Sequence, residues 1–122
     1  MNKEKYPRPQ IVQGSIRLEG EASIFKSTIY LRVIDVSRAD APSITVSEKV
    51  LRDVTLGGEP QQTIAFSIEY SPEKGKRYEL SVHIDVDGDG KISRGDYINM
   101  VSYPISPYET ASSLEVRARK IG

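Results

Sequence analysis

Period-two alternation of apolar and polar residues, repeated in short runs along most of the chain, confines this sequence to strands with one buried face. In Tyr78 to Val86, residues Leu80, Val82, Ile84 and Val86 point one way, and Ser81, His83 and Asp85 the other. Thr63 to Tyr70 sets Ile64, Phe66, Ile68 and Tyr70 against Thr63, Ala65, Ser67 and Glu69. Ser113 to Arg119 sets Leu114, Val116 and Ala118 against Ser113, Glu115, Arg117 and Arg119. Weaker alternation marks Ile11 to Leu18 and Ser43 to Leu51, and Ile29 to Val36 is apolar on both faces towards its end, as a central strand is. Tyr97 to Ile105 supplies a further strand, stopped by Pro104 and Pro107. Helical periodicity is almost absent. Turn clusters at 56–60, at 71–75 and from Asp87 to Gly95 separate the runs. The spacing predicts an all-β fold, an antiparallel β-sandwich of about seven strands of immunoglobulin or transthyretin type. It forms a single domain over residues 11–119, with a flexible N-terminus at residues 1–10 and a frayed end from Arg119 to Gly122.

A chain of 122 residues buries enough surface to fold without staples. Its charges balance, 17 Lys and Arg against 17 Asp and Glu, so there is no basic field of the kind nucleic-acid binding requires, and no nucleic-acid partner is expected. The absence of cysteine removes disulfides, thiolate metal sites, Cys nucleophiles and a lipobox together. The first ten residues, MNKEKYPRPQ, contain no apolar export core, and no apolar run approaches the roughly 18 residues of a membrane span. Neither an export signal nor a membrane span is therefore expected in the sequence as written.

Residues 85 to 96 read DVDGDGKISRGD. Asp85, Asp87 and Asp89 occupy the first, third and fifth places of a twelve-residue calcium loop and Gly90 the sixth. A hard cation takes six to eight oxygens, and carboxylates on alternate residues of a curled segment converge on one point. Lys91 would add its backbone carbonyl, Ser93 a water-bridged contact and Asp96 the closing carboxylate, where the pattern has Glu. Ile92 is expected to pack at the eighth place. The competing reading is an ordinary Asp-Gly turn, in which Lys91 and Arg94 offset part of the repulsion among four carboxylates. The flanks are β-formers on both sides, so the expectation is a Ca²⁺ loop bridging two strands and not an EF-hand. Such an ion fixes a hairpin, with an affinity of about 10⁻⁴ to 10⁻³ M by analogy with extracellular modules.

No catalytic constellation is legible. His83 is the lone histidine, placed on the solvent-side face of its strand and expected to be a cross-strand surface residue. Asp85 and Asp87 as a glycosidase pair are already accounted for by the metal pattern. Tyr97 and Tyr103 share a strand face with Tyr108 close by in sequence, which is the basis for a calcium-dependent carbohydrate-binding or adhesion module as an alternative. Arg117, Arg119 and Lys120 read as a solvated basic strand face.

The stretches Val12 to Ile16, Leu31 to Pro42 with its core Asp-Val-Ser-Arg-Ala-Asp-Ala-Pro, Ile64 to Tyr70, Tyr78 to Ile84 and Tyr103 to Ile105 resemble the YbaY/YscW-type lipoprotein family, whose latter members are pilotin-like chaperones of type III secretion. The resemblance covers most of residues 11 to 105. It implies a small β-sandwich without enzymatic activity, located in the bacterial cell envelope, that assembles or escorts protein partners. The expected function is thus a non-enzymatic binding or assembly-chaperone-like module with a structural Ca²⁺ site and exposed strand edges or faces for a partner.

Overall fold

A computed structural model describes residues 9–20, 22–57, 62–106 and 113–122. Eight strands are formed: β1 (Gln10–Leu18), β2 (Ile24–Asp35), β3 (Ile44–Leu56), β4 (Thr63–Tyr70), β5 (Tyr78–Asp85), β6 (Tyr97–Asn99), β7 (Pro104–Ile105) and β8 (Ser113–Lys120). The alternation holds in most runs, but Val86, expected to point inward, is exposed past the end of β5, and Ile44 and Val46 of the Ser43 to Leu51 run are exposed as well. Ile29, Leu31 and Val33 of β2, Leu80, Val82 and Ile84 of β5, Phe66, Ile68 and Tyr70 of β4, and Val116 and Ala118 of β8 are all buried in one core. Among the described residues no helix is long and apolar enough to cross a membrane.

Two separate sheets do not form. All strands belong to one sheet in the order β3-β2-β5-β6-β8-β1-β4, with β7 on the flank of β5, and the sheet curls until it is nearly a closed barrel. Alternation reports only that each strand buries one face, which a barrel and a sandwich do equally, so it cannot distinguish the two. The short β6 makes the difference. Its residues pair antiparallel with β5 on one side, His83↔Ile98 and Ile84↔Tyr97, and with β8 on the other, Tyr97↔Lys120 to Asn99↔Ala118. It therefore welds β3-β2-β5 to β8-β1-β4. Nor is the sheet wholly antiparallel: β8 lies parallel to β1, from Gln13↔Ser113 to Leu18↔Ala118.

The two ends of the strand order, β3 and β4, meet across the remaining gap without a ladder of their own among the described residues. The Ser47 hydroxyl donates to the Glu69 carbonyl, and Lys49 Nζ donates to the Ser67 carbonyl at 2.8 Å. Both side chains stand on the core-facing side of β3, opposite Val33 and Leu31. This is a seam closed by side chains. At the far end, register shifts in β2–β3 and left-handed backbone at Lys26 (φ 47°) and Asp53 (φ 56°) bend the hairpin so that Ile24, Val54 and Leu56 reach the core.

The stretch bearing the most specific resemblance builds the connection after β2. Asp35 accepts from the Ser37 backbone N–H at 2.9 Å and from its hydroxyl, and Ser37 Oγ accepts from the Arg77 N–H at 2.8 Å. Gln10 is already paired in β1, opposite Tyr70, which corrects the expected flexible stretch of residues 1–10; residues 1–8 lie outside the described set. The expected fraying from Arg119 is also corrected. β8 continues to Lys120, and Ile121 is fixed beyond it by backbone bonds, its carbonyl accepting from Gly95 and its N–H donating to the Asp96 carbonyl, both at 2.8 Å.

Candidate metal centre

The segment between β5 and β6 folds back over the outer face of β5, so residues that alternation assigns to solvent become buried under it. Asp85 at the end of β5 is 2% exposed and Asp96, just before β6, is 1% exposed. Asp85 Oδ1 accepts from the Gly88 N–H at 3.0 Å and Oδ2 from the Gly90 N–H at 2.8 Å. Gly90 has φ +75°, the left-handed conformation that the sixth place of such a loop needs. Asp87 Oδ1 accepts from Asp89 N–H at 3.3 Å, and Asp89 Oδ1 from Lys91 N–H at 2.9 Å. Each acidic side chain thereby turns the backbone that follows it and brings the next one round.

The outcome is convergence. Asp85, Asp87, Asp89 and Asp96 each offer a carboxylate oxygen, all within 4.8 Å of one another. Ser93 stands among them, its hydroxyl 3.2 Å from Asp87 Oδ2 and 3.5 Å from Asp96 Oδ2. Lys91 is tied in through its amide to Asp89, with its side chain in solvent. The carboxyl of Asp87 is held below its usual value, first by a hydrogen bond with the Asp85 side chain and then by the Asp89 N–H. Among the described residues neither Lys91 nor Arg94 forms an ion pair with these carboxylates. Each carboxylate oxygen carries two lone pairs. Both oxygens of Asp85 and Oδ1 of Asp87, Asp89 and Asp96 each accept one backbone N–H, which leaves acceptors for a cation, whereas Asp96 Oδ2 already meets His83, the Ser93 N–H and the Ser93 hydroxyl. Two buried carboxylates among four crowded ones are a donor set that fits a hard divalent ion.

Three expectations change here. His83 is not a solvated residue: it is 2% exposed, with Nε2 2.8 Å from Asp96 Oδ2 and its ring stacked on Tyr30 at 5.6 Å. Its strand parity is as predicted, but the returning loop covers that face. Ile92 is 59% exposed and does not pack. Tyr97 is buried in the core and Tyr103 packs against it with its hydroxyl accepting from the Arg117 N–H at 2.9 Å, so the proposed stacking face points inward; Tyr108 lies outside the described residues. The basic strand face is exposed as expected, with Arg119 paired to Glu19. Sequence reasoning missed His83 and Tyr30, whose hydroxyl would lie 4.0 Å from a Cβ on Gly90. Their signal is indirect: His83 stands two residues before Asp85 and so shares its face.

No protein-family model matches the chain, and no curated protein matches it. Among solved structures it is similar to an alternative pilotin from the type II secretion system of Vibrio cholerae, with a TM-score of 0.71 and 21% identity over 94% of this chain and 99% of that one. At that identity the likeness shows a pilotin-like fold and nothing narrower.

Proposed function

We propose that this protein is a non-enzymatic, assembly-chaperone-like module of the bacterial envelope that receives an extended segment of a protein partner at the β3–β4 seam and holds Ca²⁺ structurally at residues 85–96. The seam is the observation that carries the first part. Two strand edges face each other, bridged among the described residues by the side chains of Ser47 and Lys49. An inward-pointing lysine is a common guard of such an edge, because unpaired backbone groups otherwise recruit another strand. Two adjoining recesses follow the seam, of about 390 and 420 Å³, and share Ser47 and Glu69. One is lined by Val46, Asp35, Tyr70 and Lys76, the other by Ile11, Glu48 and Lys49. An incoming extended chain fits this place because its own N–H and C=O groups complement the free edge while its side chains find polar and apolar recesses in turn. The fold likeness to a secretion pilotin supports the envelope setting and a protein partner.

The test is site-specific photo-crosslinking in the native host from Ser67 and Lys49 at the seam, with Arg117 on the opposite strand face as control. Adducts that map to one extended partner segment, and only from the seam positions, support the reading. Equal labelling from Arg117, or none at the seam, refutes it.

A further inference from the structure

We infer that His83 is a positioning residue for the cation, donating from Nε2 to Asp96 Oδ2 so that an aspartate closes a loop whose pattern calls for the longer glutamate. The inference rests on the reading of residues 85–96 as a cation site.

The backbone of Asp96 is immobilised. Its carbonyl accepts from Ile121, its N–H donates to the Ser93 carbonyl at 3.1 Å, and the preceding Gly95 donates to Ile121. With the main chain fixed and one methylene fewer than glutamate, the carboxylate is placed by what grips it. Oδ1 accepts from the Val86 N–H at 3.0 Å, while Oδ2 faces His83 Nε2 at 2.8 Å and the Ser93 N–H at 3.2 Å. Asp85, Asp96 and His83 are all buried and mutually within ligand distance.

The imidazole is fixed in turn. It pairs in register with Tyr30 on one side and Ile98 on the other, and stacks on the Tyr30 ring with an interplanar angle of 19°. Its Nδ1 is buried and has no partner. A proton on Nδ1 would be an unsatisfied buried donor, so packing favours the tautomer with the proton on Nε2, aimed at Asp96. An N–H donor at Oδ2 orients the carboxylate, while Oδ1, which accepts from the Val86 N–H, keeps a lone pair for the ion. Outer hydrogen bonds of this kind typically govern about 10- to 100-fold in metal affinity.

Terbium luminescence provides the test, sensitised by Tyr30, whose hydroxyl lies beside Gly90, and not by the inward Tyr97. Emission lifetimes in H₂O and D₂O count the waters on the ion, and Ca²⁺ competition gives affinity. His83→Leu is expected to weaken binding by about 10- to 100-fold and to admit about one additional water as Asp96 leaves the ion. His83→Gln, which restores a side-chain N–H, is expected to recover most of both. Should leucine not fold there, His83→Asn, whose shorter amide does not reach Asp96, takes its place with the same expectations. Wild-type affinity and hydration in the leucine or asparagine variant, or a loss that glutamine does not recover, overturns the assignment to His83 alone. Terbium binding that survives in Asp87→Ala, or is absent from the wild type, overturns the cation site itself.

Discussion

At Gly14 the parallel neighbour β8 passes so close that a Cβ would stand 2.0 Å from the Leu114 carbonyl oxygen. Backbone cannot yield as a side-chain tip can, so Gly14→Ala is expected to cost about 3 kcal/mol, read as a lower urea midpoint with unchanged slope. The alternation around Gly14 was legible, but its reason was not, because the strand that crowds it lies about a hundred residues away in sequence. The acidic residues are the opposite case: Asp85, Asp87, Asp89 and Asp96 converge through local turns, so spacing alone reveals them. His83 needed the fold of the loop. Tyr70 adds a pH dependence. Burial, and then Tyr78, pushes its hydroxyl up from 10.0 to about 12. The folded protein therefore keeps a proton that the unfolded chain releases, so this contribution is complete below pH 10 and is lost as pH rises towards 12. Thermal melts across that window are expected to show a decline that Tyr70→Phe reduces.

Among the strands, the three-residue β6 has the widest consequence, joining β5 through two residue pairs and β8 through three. The run Tyr97 to Ile105 reads as a single strand, yet it breaks after Asn99. The Asn99 side chain accepts from the Val82 N–H at 2.8 Å and donates to the Val101 carbonyl at 3.0 Å, replacing the ladder with side-chain bonds and sending Met100 and Val101 into solvent. An amide side chain competing with its own backbone is invisible to periodicity. The loop of residues 85–96 begins at the end of β5, finishes at β6 and is clasped to Ile121 after β8, so the ion proposed for this loop would secure the corner joining the two halves of the sheet. Chelation is expected to speed hydrogen exchange at Ile98, Asn99, Arg119 and Ile121 several-fold or more, while the β1–β4 ladder stays protected. Equal protection with and without chelator would dissociate the loop from that corner.

For the molecule as a whole, strand existence and inward faces were legible from alternation, whereas closure was not. Nothing local states that β8 lies parallel beside β1, or that β3 and β4 face each other as unpaired ends. The polar residues Ser47 and Lys49 on the core face of β3 were the one hint, since a fully sealed strand would carry apolar residues there. Removing that guard with Ser47→Ala and Lys49→Ala together is expected to promote edge-to-edge association, seen as a concentration-dependent dimer in sedimentation velocity that the wild type lacks. The pilotin-like fold and the cation loop meet in one claim, that an ion at residues 85–96 holds this nearly closed barrel in shape. The most direct test is calorimetric melting of wild type and Asp87→Ala with 10 mM Ca²⁺ or with chelator. For a dissociation constant of about 10⁻⁴ to 10⁻³ M, linkage gives about 1.4 to 2.7 kcal/mol and a wild-type rise of roughly 5 to 15 °C, absent in the variant. Identical melting of the wild type under both conditions would contradict the account and leave residues 85–96 as an acidic turn.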